Sequence, residues 1–161
     1  MAQCLYSPSQ TIIRSNFTYA CSGNAGGVVT LRNQNNTIIN TPQAMKDGTR
    51  FTGTDDGVPA PYTTSLKVIN IYNIITSCLT QSDINKVKGE VMLLSMYINS
   101  DTGIIMEIEF DITLFDNKWC RIEPEKYYAI EQALKSNITF NITEQGKKYT
   151  YNLCWIPVKF K

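Results

Sequence analysis

The 161-residue sequence contains no histidine, and this absence removes several kinds of catalytic site at once. Ser-His-Asp triads, Cys-His dyads and imidazole metal sites all need histidine, which is also the usual proton-transfer side chain near neutral pH. The sequence also has no run of 18 apolar residues, so it predicts no membrane-spanning helix. These absences favour a non-catalytic protein without a membrane span.

Charged residues are scarce, because they make up only 18% of the chain against about a quarter in typical domains. Lys and Arg number 15 and Asp and Glu number 14, which leaves a net charge of +1. A nearly neutral chain has no bulk field to attract nucleic acid or anionic lipid. We therefore expect no nucleic-acid partner. The polar surface is instead built from uncharged groups, including 14 Asn and 17 Thr.

None of the five cysteines lies in a C-x-x-C pair, which argues against a Cys₄ zinc site and a thioredoxin-type redox site. No metal or cofactor is therefore predicted. Two alternatives stay open: one or two disulfides with a free thiol, or five buried thiols. The first disulfide to test joins Cys4 and Cys21, which share the N-terminal segment. The cysteines are Cys4, Cys21, Cys78, Cys120 and Cys154.

Residues 1–64 are rich in loops and short β-branched stretches, which predict strands at Thr11–Ile13, Phe17–Tyr19 and Val28–Leu31. A further short strand at Thr37–Ile39 is expected to return beside the third. This segment is expected to pack on the same core as residues 65–161, giving one compact domain. A helix is predicted over residues 67–80, where apolar residues recur at helical spacing.

The sequence after Gly89 indicates its secondary structure more strongly than the preceding segments do. An apolar strand over Val91–Ile98 is followed by a hairpin turn that ends at Gly103, and then by an alternating strand over Ile104–Ile112. Pro124 begins a helix that extends to Asn137. The last strand runs from Tyr149 to Phe160. The fold class is therefore α+β, with a mainly antiparallel sheet, helices packed on one face and β-β-α-β order in the C-terminal half.

Pro157 lies within this last strand, and proline lacks the N–H that a central strand needs. Its presence predicts an edge or bulge position for this part of the strand.

The region from Gly89 to Phe160, about 72 residues, resembles the C-terminal domain of TonB-type energy transducers. The motifs that carry the resemblance occur in the family's order: Gly89-Glu90-Val91, Asp101-Thr102-Gly103-Ile104, Ala133-Leu134, Gly146-Lys147-Lys148 and Ile156-Pro157-Val158-Lys159-Phe160. The chain differs in an insertion at Leu114–Arg121. The resemblance implies a TonB-like fold and a bacterial envelope location. With Met1-Ala2-Gln3 interpreted as a trimmed terminus, we expect a periplasmic or secreted protein.

TonB-like domains pair a sheet edge with an extended peptide, so the resemblance also implies a site and a partner. The expected edge comprises Tyr149, Tyr151, Leu153 and Trp155. The function predicted is a non-catalytic envelope module that binds an extended peptide or envelope protein. The simpler interpretation of the aromatic row Tyr149, Tyr151 and Trp155 is packing under the Pro124 helix, with Trp119 the more exposed aromatic residue.

Two alternatives come from other functional classes. Glu107 and Glu109 project from one face of a strand, and paired carboxylates can support a carbohydrate-active or hydrolytic enzyme. With Asp111 they are more simply the solvent-exposed face of the sheet. The second alternative is a carrier of a small apolar ligand, which requires a closed apolar cavity between sheet and helix.

Overall fold

The computed structural model describes residues 4–23, 27–51, 60–63, 68–113 and 118–161. Eight strands lie in these residues: β1 (Thr11–Ile13), β2 (Thr18–Gly23), β3 (Val28–Asn33), β4 (Tyr62–Thr63), β5 (Val91–Ile98), β6 (Ile105–Thr113), β7 (Asn141–Ile142) and β8 (Asn152–Lys159). The α-helices of the same residues are α1 (Val68–Ser77), α2 (Gln81–Val87) and α3 (Pro124–Asn137). Short 3-10 turns occur at Ile38–Asn40, Lys118–Arg121 and Gly146–Lys148.

Six of these strands form one sheet in the order β1-β2-β3-β6-β5-β8, and every neighbouring pair is antiparallel. The N-terminal strands join the C-terminal ones through the pairing of β3 with β6. Strands β4 and β7 form a separate two-stranded sheet. The predicted α+β class with a mainly antiparallel sheet is confirmed.

The core lies between one face of the sheet and helices α1 and α3. Alternate residues of β6 point inward, so Ile108 and Phe110 are buried, and the Phe110 ring meets the ring of Tyr127 edge to face at 5.1 Å. Tyr127 on α3 and Ile71 on α1 are fully buried opposite the sheet. Burial of such side chains stabilises each by roughly 1.5–3 kcal/mol. Helix α3 begins at Pro124, as predicted from the preference of proline for the first turn.

The predicted hairpin between β5 and β6 is confirmed, and its glycine is required. Gly103 has φ +75°, a conformation that residues with a side chain rarely adopt. A Cβ atom there would lie 1.8 Å from the carbonyl oxygen of Phe140. The chain therefore needs glycine for both the turn and the close backbone approach. The following strand begins one residue later than predicted, and Ile104 is half exposed.

One local prediction is wrong, and one helix has no counterpart among the predictions. Residues 37–39 do not form a strand but lead into the 3-10 turn Ile38–Asn40, because the Glu107 carboxylate accepts their three backbone N–H groups. Helix α2 was not predicted at all. Its signal is the capping box in which Thr80 and Asp83 bond each other's backbone N–H groups at the first turn.

The five cysteines are free thiols, so of the two open alternatives the structure has the one without disulfides, and the first pair to test, Cys4 and Cys21, is not bonded. Cys4 Sγ instead donates to the carbonyl of Tyr6 at 3.3 Å. Cys21, Cys120 and Cys154 are buried, whereas Cys4 and Cys78 are half-buried. Three of the thiols therefore behave as small core residues.

Candidate functional site

Strand β8 is an edge of the main sheet in the described part of the chain, because it pairs with β5 on one side only. Just beyond the strand, the N–H of Phe160 donates to the Glu90 carbonyl at 2.9 Å, and its carbonyl accepts from Gly89 N–H at 2.8 Å. Along an antiparallel strand, the backbone N–H and C=O groups of successive residues point alternately to one side and the other. The N–H and C=O groups of alternate residues therefore face away from β5: Leu153, Trp155, Pro157 and Lys159. We call Leu153–Lys159 the outer edge.

Pro157 occupies one of these outward positions, opposite Leu93 of β5. A proline there removes no hydrogen bond of the ladder to β5, because its nitrogen points away from the sheet. The predicted edge position of Pro157 is therefore confirmed.

The same alternate residues direct their side chains to the face of the sheet opposite the core. Trp155 is 68% exposed and is the most exposed large aromatic side chain of the described residues. Beside β8, Val91 and Leu93 of β5 are 43% and 36% exposed. These three residues and Pro157 form the open-face patch. An exposed tryptophan beside further apolar side chains is typical of an interaction surface.

The four residues predicted from the sequence divide into a buried pair and a more accessible pair. Tyr149 is buried against Phe51, with ring centroids 5.1 Å apart. Tyr151 is also buried, and its hydroxyl donates to the carbonyl of Thr41 at 2.9 Å. Leu153 is half-buried, and Trp155 is exposed.

The chain itself covers the start of this region. The backbone of residues 44–46 bonds to Lys148 and Thr150, and Met45 lies opposite Tyr149 in an antiparallel bridge. The outward carbonyl of Leu153 also accepts from the Tyr62 hydroxyl at 3.5 Å, so the accessible edge extends from Trp155 to Lys159, further along the chain than predicted.

The predicted exposure of Trp119 and the predicted packing of the aromatic row under α3 are wrong. Trp119 is fully buried, with its ring 4.8 Å from that of Phe160, because the 3-10 turn Lys118–Arg121 packs into the core. The aromatic row of the last strand does not lie under α3. Tyr151 instead contacts Tyr97 on the opposite face, with ring centroids 5.6 Å apart, and Trp155 faces solvent.

Glu107 and Glu109 are buried, with exposures of 6% and 8%, so the prediction that they form a solvent-exposed face is wrong. Glu107 accepts from the backbone N–H groups of Thr37, Ile38 and Ile39 at 2.6, 2.8 and 3.2 Å. The carboxylate thus holds the 3-10 turn Ile38–Asn40 across one end of the sheet face. A carboxylate with three fixed donors is committed to structure rather than to proton transfer.

Glu109 has a different environment. It accepts from the Tyr97 hydroxyl at 3.1 Å, and Arg32 of β3 lies opposite it in the sheet. Burial raises the pKa of the Glu109 carboxyl, and the Tyr97 hydroxyl and Arg32 partly oppose that rise. The cavity that Glu107 borders, of about 300 Å³, is not lined by Glu109. The two carboxyl groups therefore do not face each other across that cavity, as a hydrolytic pair would.

A family model described as "Domain of unknown function (DUF5043)" matches residues 3–155. The chain belongs to the DUF5043 family. A DUF5043 family protein from Bacteroides uniformis ATCC 8492, with a crystal structure at 1.85 Å resolution, superposes with a TM-score of 0.85 at 21% identity. The match covers 99% of this chain and 89% of that chain, and it shows the shared fold. None of the curated proteins matches the sequence.

The relation to TonB-type domains stays a prediction, since the comparisons support the DUF5043 family and its fold. Within the residues described, no helix combines the length and the apolar character needed to cross a bilayer.

Proposed function

We propose that this DUF5043 protein is a non-catalytic interaction module that binds an extended peptide segment of a partner protein along the outer edge of β8. One observation carries the proposal. Among the described residues no strand pairs with the outer edge, although Trp155 is exposed beside it. Unpaired backbone donors and acceptors at a sheet edge are a template for another strand.

The chemistry of strand addition matches the groups available at this edge. Backbone hydrogen bonds would supply affinity, and alternate side chains of the peptide would contact the open-face patch. Trp155 offers a large apolar surface and an indole N–H at that patch. Pro157 offers a carbonyl but no N–H, which restricts the register of an added strand. The same proline discourages unlimited pairing with further copies of the chain.

The bacterial envelope is the compartment in which we place this function, as a periplasmic or secreted protein. That placement is supported by the resemblance to TonB-type domains. The partner would be an envelope protein with an exposed extended segment. Lys159 and Lys161, both exposed at the end of the edge, favour an acidic residue in that segment.

The alternative enzyme function has less support, because the Glu107 carboxylate is occupied by three backbone donors. The apolar carrier also has less support. Two cavities among the described residues, of about 300 and 200 Å³, are bordered by many polar side chains, including Glu131 and Lys135 in the larger and Gln10 and Arg14 in the smaller.

The test uses a display library of linear random peptides, selected against the full chain. Two variants separate the contributions of backbone and side chain: Lys159→Pro removes an outward N–H, and Trp155→Ser removes the indole. Ile13→Ser is the matched control, because Ile13 is 71% exposed on the opposite edge strand β1. Amide hydrogen exchange with and without a selected peptide locates the binding site.

We expect selected peptides to protect the outward amides of Trp155 and Lys159 from exchange. Each edge variant should weaken binding at least about fivefold, and Ile13→Ser should leave it unchanged. Selected peptides that bind all variants equally, or that protect β1 instead, would refute the proposal. So would a failure of the library to yield any binder.

A further inference from the structure

A cavity of about 300 Å³ lies where the end of β3 and the following loop meet helix α3. Its wall is rich in side-chain amides. Five amide side chains border it: Asn16, Asn33, Asn35, Asn36 and Gln132. The volume falls at the lower end of the range of about 300–1,000 Å³ for ligand sites.

Glu131 lies on the α3 side of the cavity, and its side chain is fully buried. Its carboxylate accepts from the Tyr19 hydroxyl and from Lys135 Nζ, both at 2.7 Å. Burial and the nearby Glu131 raise the pKa of Tyr19, so its hydroxyl keeps the proton that it donates. Lys135 balances the charge, and each carboxylate oxygen retains a further lone pair. Glu131 has no solvent-accessible surface, so it holds Tyr19 and Lys135 in place behind the cavity wall rather than contacting a ligand.

Two asparagines on the β3 side have unused polar atoms. Asn33 and Asn36 are each 8% exposed. Asn33 Oδ1 accepts from Asn35 N–H, and Asn36 Nδ2 donates to the Ile108 carbonyl, both at 3.1 Å. Within the described residues, Asn33 Nδ2 and Asn36 Oδ1 have no hydrogen-bond partner. Both atoms keep some accessible surface, so this donor and this acceptor are available to a polar occupant of the cavity.

An aromatic ring completes the cavity wall. Tyr128 is half-buried and stacks on Phe17, with centroids 4.7 Å apart and an interplanar angle of 16°. The negative charges at the cavity are already engaged, Glu131 by Lys135 and Glu107 by backbone donors. A charged ligand would therefore find no free countercharge, whereas hydroxyl groups can both donate to amide oxygens and accept from amide N–H groups.

We infer that this cavity binds a neutral polyhydroxylated molecule of the size of one monosaccharide unit. Amide donors and acceptors and an aromatic ring together match the alternating hydroxyls and the C–H faces of such a ligand. The site is separate from the outer edge of β8, since none of the residues of that edge borders the cavity. A result here therefore stands independently of the proposed peptide binding.

The test is an NMR titration of the isotope-labelled full chain with D-glucose, D-galactose, D-mannose, L-fucose and N-acetyl-D-glucosamine. D-glucuronate and glycine are the charged comparison compounds. Asn36→Leu removes one unused acceptor. Gln132→Leu removes an exposed amide of the cavity wall and keeps the test valid if Asn36→Leu fails to fold. Gln34→Leu is the matched control, because Gln34 is an exposed amide outside the lining.

We expect at least one neutral sugar to shift the side-chain amide signals of Asn33 and Asn36 in a saturable manner. Each cavity variant should weaken that binding about fivefold to tenfold, as the loss of a neutral hydrogen bond does. Gln34→Leu should bind as the unaltered protein does. The inference is overturned if no neutral sugar gives saturable shifts, if both cavity variants bind normally, or if only the charged compounds bind.

Discussion

Exchanging Glu107 for glutamine should destabilise the protein, whereas the same change at Glu109 should not. The two residues are two positions apart on β6 and equally buried, so burial alone predicts equal effects. Their hydrogen bonds differ. Glu107 accepts from three backbone N–H groups of residues 37–39, and Glu109 accepts from the Tyr97 hydroxyl.

The magnitudes follow from these partners. A hydrogen bond to a charged group contributes about 1.5–3 kcal/mol net. Glu107→Gln removes the charge and turns an amide N–H₂ toward backbone donors, so we expect a loss of about 2–3 kcal/mol. Glu109→Gln keeps an acceptor for Tyr97 and removes a charge that burial disfavours. Its free energy of unfolding should therefore stay within about 0.5 kcal/mol of the unaltered protein, or rise.

The assay is urea unfolding at pH 7, with slopes compared to establish that only stability has changed. A loss of about 2–3 kcal/mol corresponds to a drop in melting temperature of roughly 4–12 °C for a chain of this size. Equal destabilisation by the two variants would refute the reasoning. Such a result would mean that the contribution of Glu107 to stability comes from its position in the sheet and not from its three backbone donors.

The pH dependence of stability provides a second test of the environment of Glu109. Its folded pKa lies above the ordinary 4.5, so the protonated carboxyl is the form that the fold favours. Its contribution to stability is complete below the unfolded pKa and is lost as pH rises through the folded value. As pH rises from the unfolded pKa of Glu109 to its folded pKa, the unaltered protein should therefore lose stability relative to Glu109→Gln. If the difference in free energy of unfolding between the two proteins did not change with pH, the raised pKa of Glu109 would be contradicted.

Three further predictions concern other parts of the fold. Gly103→Ala should lower the free energy of unfolding, measured by urea unfolding, by at least about 2 kcal/mol. The added Cβ would lie 1.8 Å from a backbone carbonyl oxygen, and φ at this position is positive. A loss under about 0.5 kcal/mol would contradict the close approach. Thr80→Ala should cost about 1 kcal/mol in the same assay, since it removes the capping box of α2, and an unchanged midpoint would argue against that cap. Iodoacetamide at pH 8 should label the native protein mainly at the half-buried Cys4 and Cys78. Burial raises the pKa of Cys21 to about 11 and that of Cys120 to about 12, which keeps these thiols protonated and unreactive. Rapid labelling of all five cysteines without urea would contradict this prediction.

Local patterns determined most of the secondary structure. The helix at Pro124 and the hairpin at Gly103 could be predicted because their signals lie within a few adjacent residues. The apolar run of β5 and the alternation along β6 indicated a sheet, and Pro157 indicated an edge, since a missing N–H acts at its own position. These elements led to the correct fold class.

The exposure of side chains was decided by residues far away in the sequence. Glu107 is buried because the turn at residues 37–39, about 70 positions earlier, folds over it. Thr41, just after this turn, accepts a hydrogen bond from the Tyr151 hydroxyl and helps to bury it, whereas Trp155, four residues later, is exposed. A periodic pattern identifies the two faces of a strand, but it does not show which chain segment packs on them.

The amide-lined cavity depends on tertiary structure in the same way. Asparagine near a turn is common in any sequence, so Asn33 and Asn36 carried no local signal of a site. They became notable only where the fold places them beside Glu131 of α3 and leaves one polar atom of each without a partner. The sequence by itself determined which elements form and in what order. The tertiary structure alone decided which polar groups are buried, because burial and hydrogen-bond partners are properties of packed neighbours rather than of neighbours along the chain.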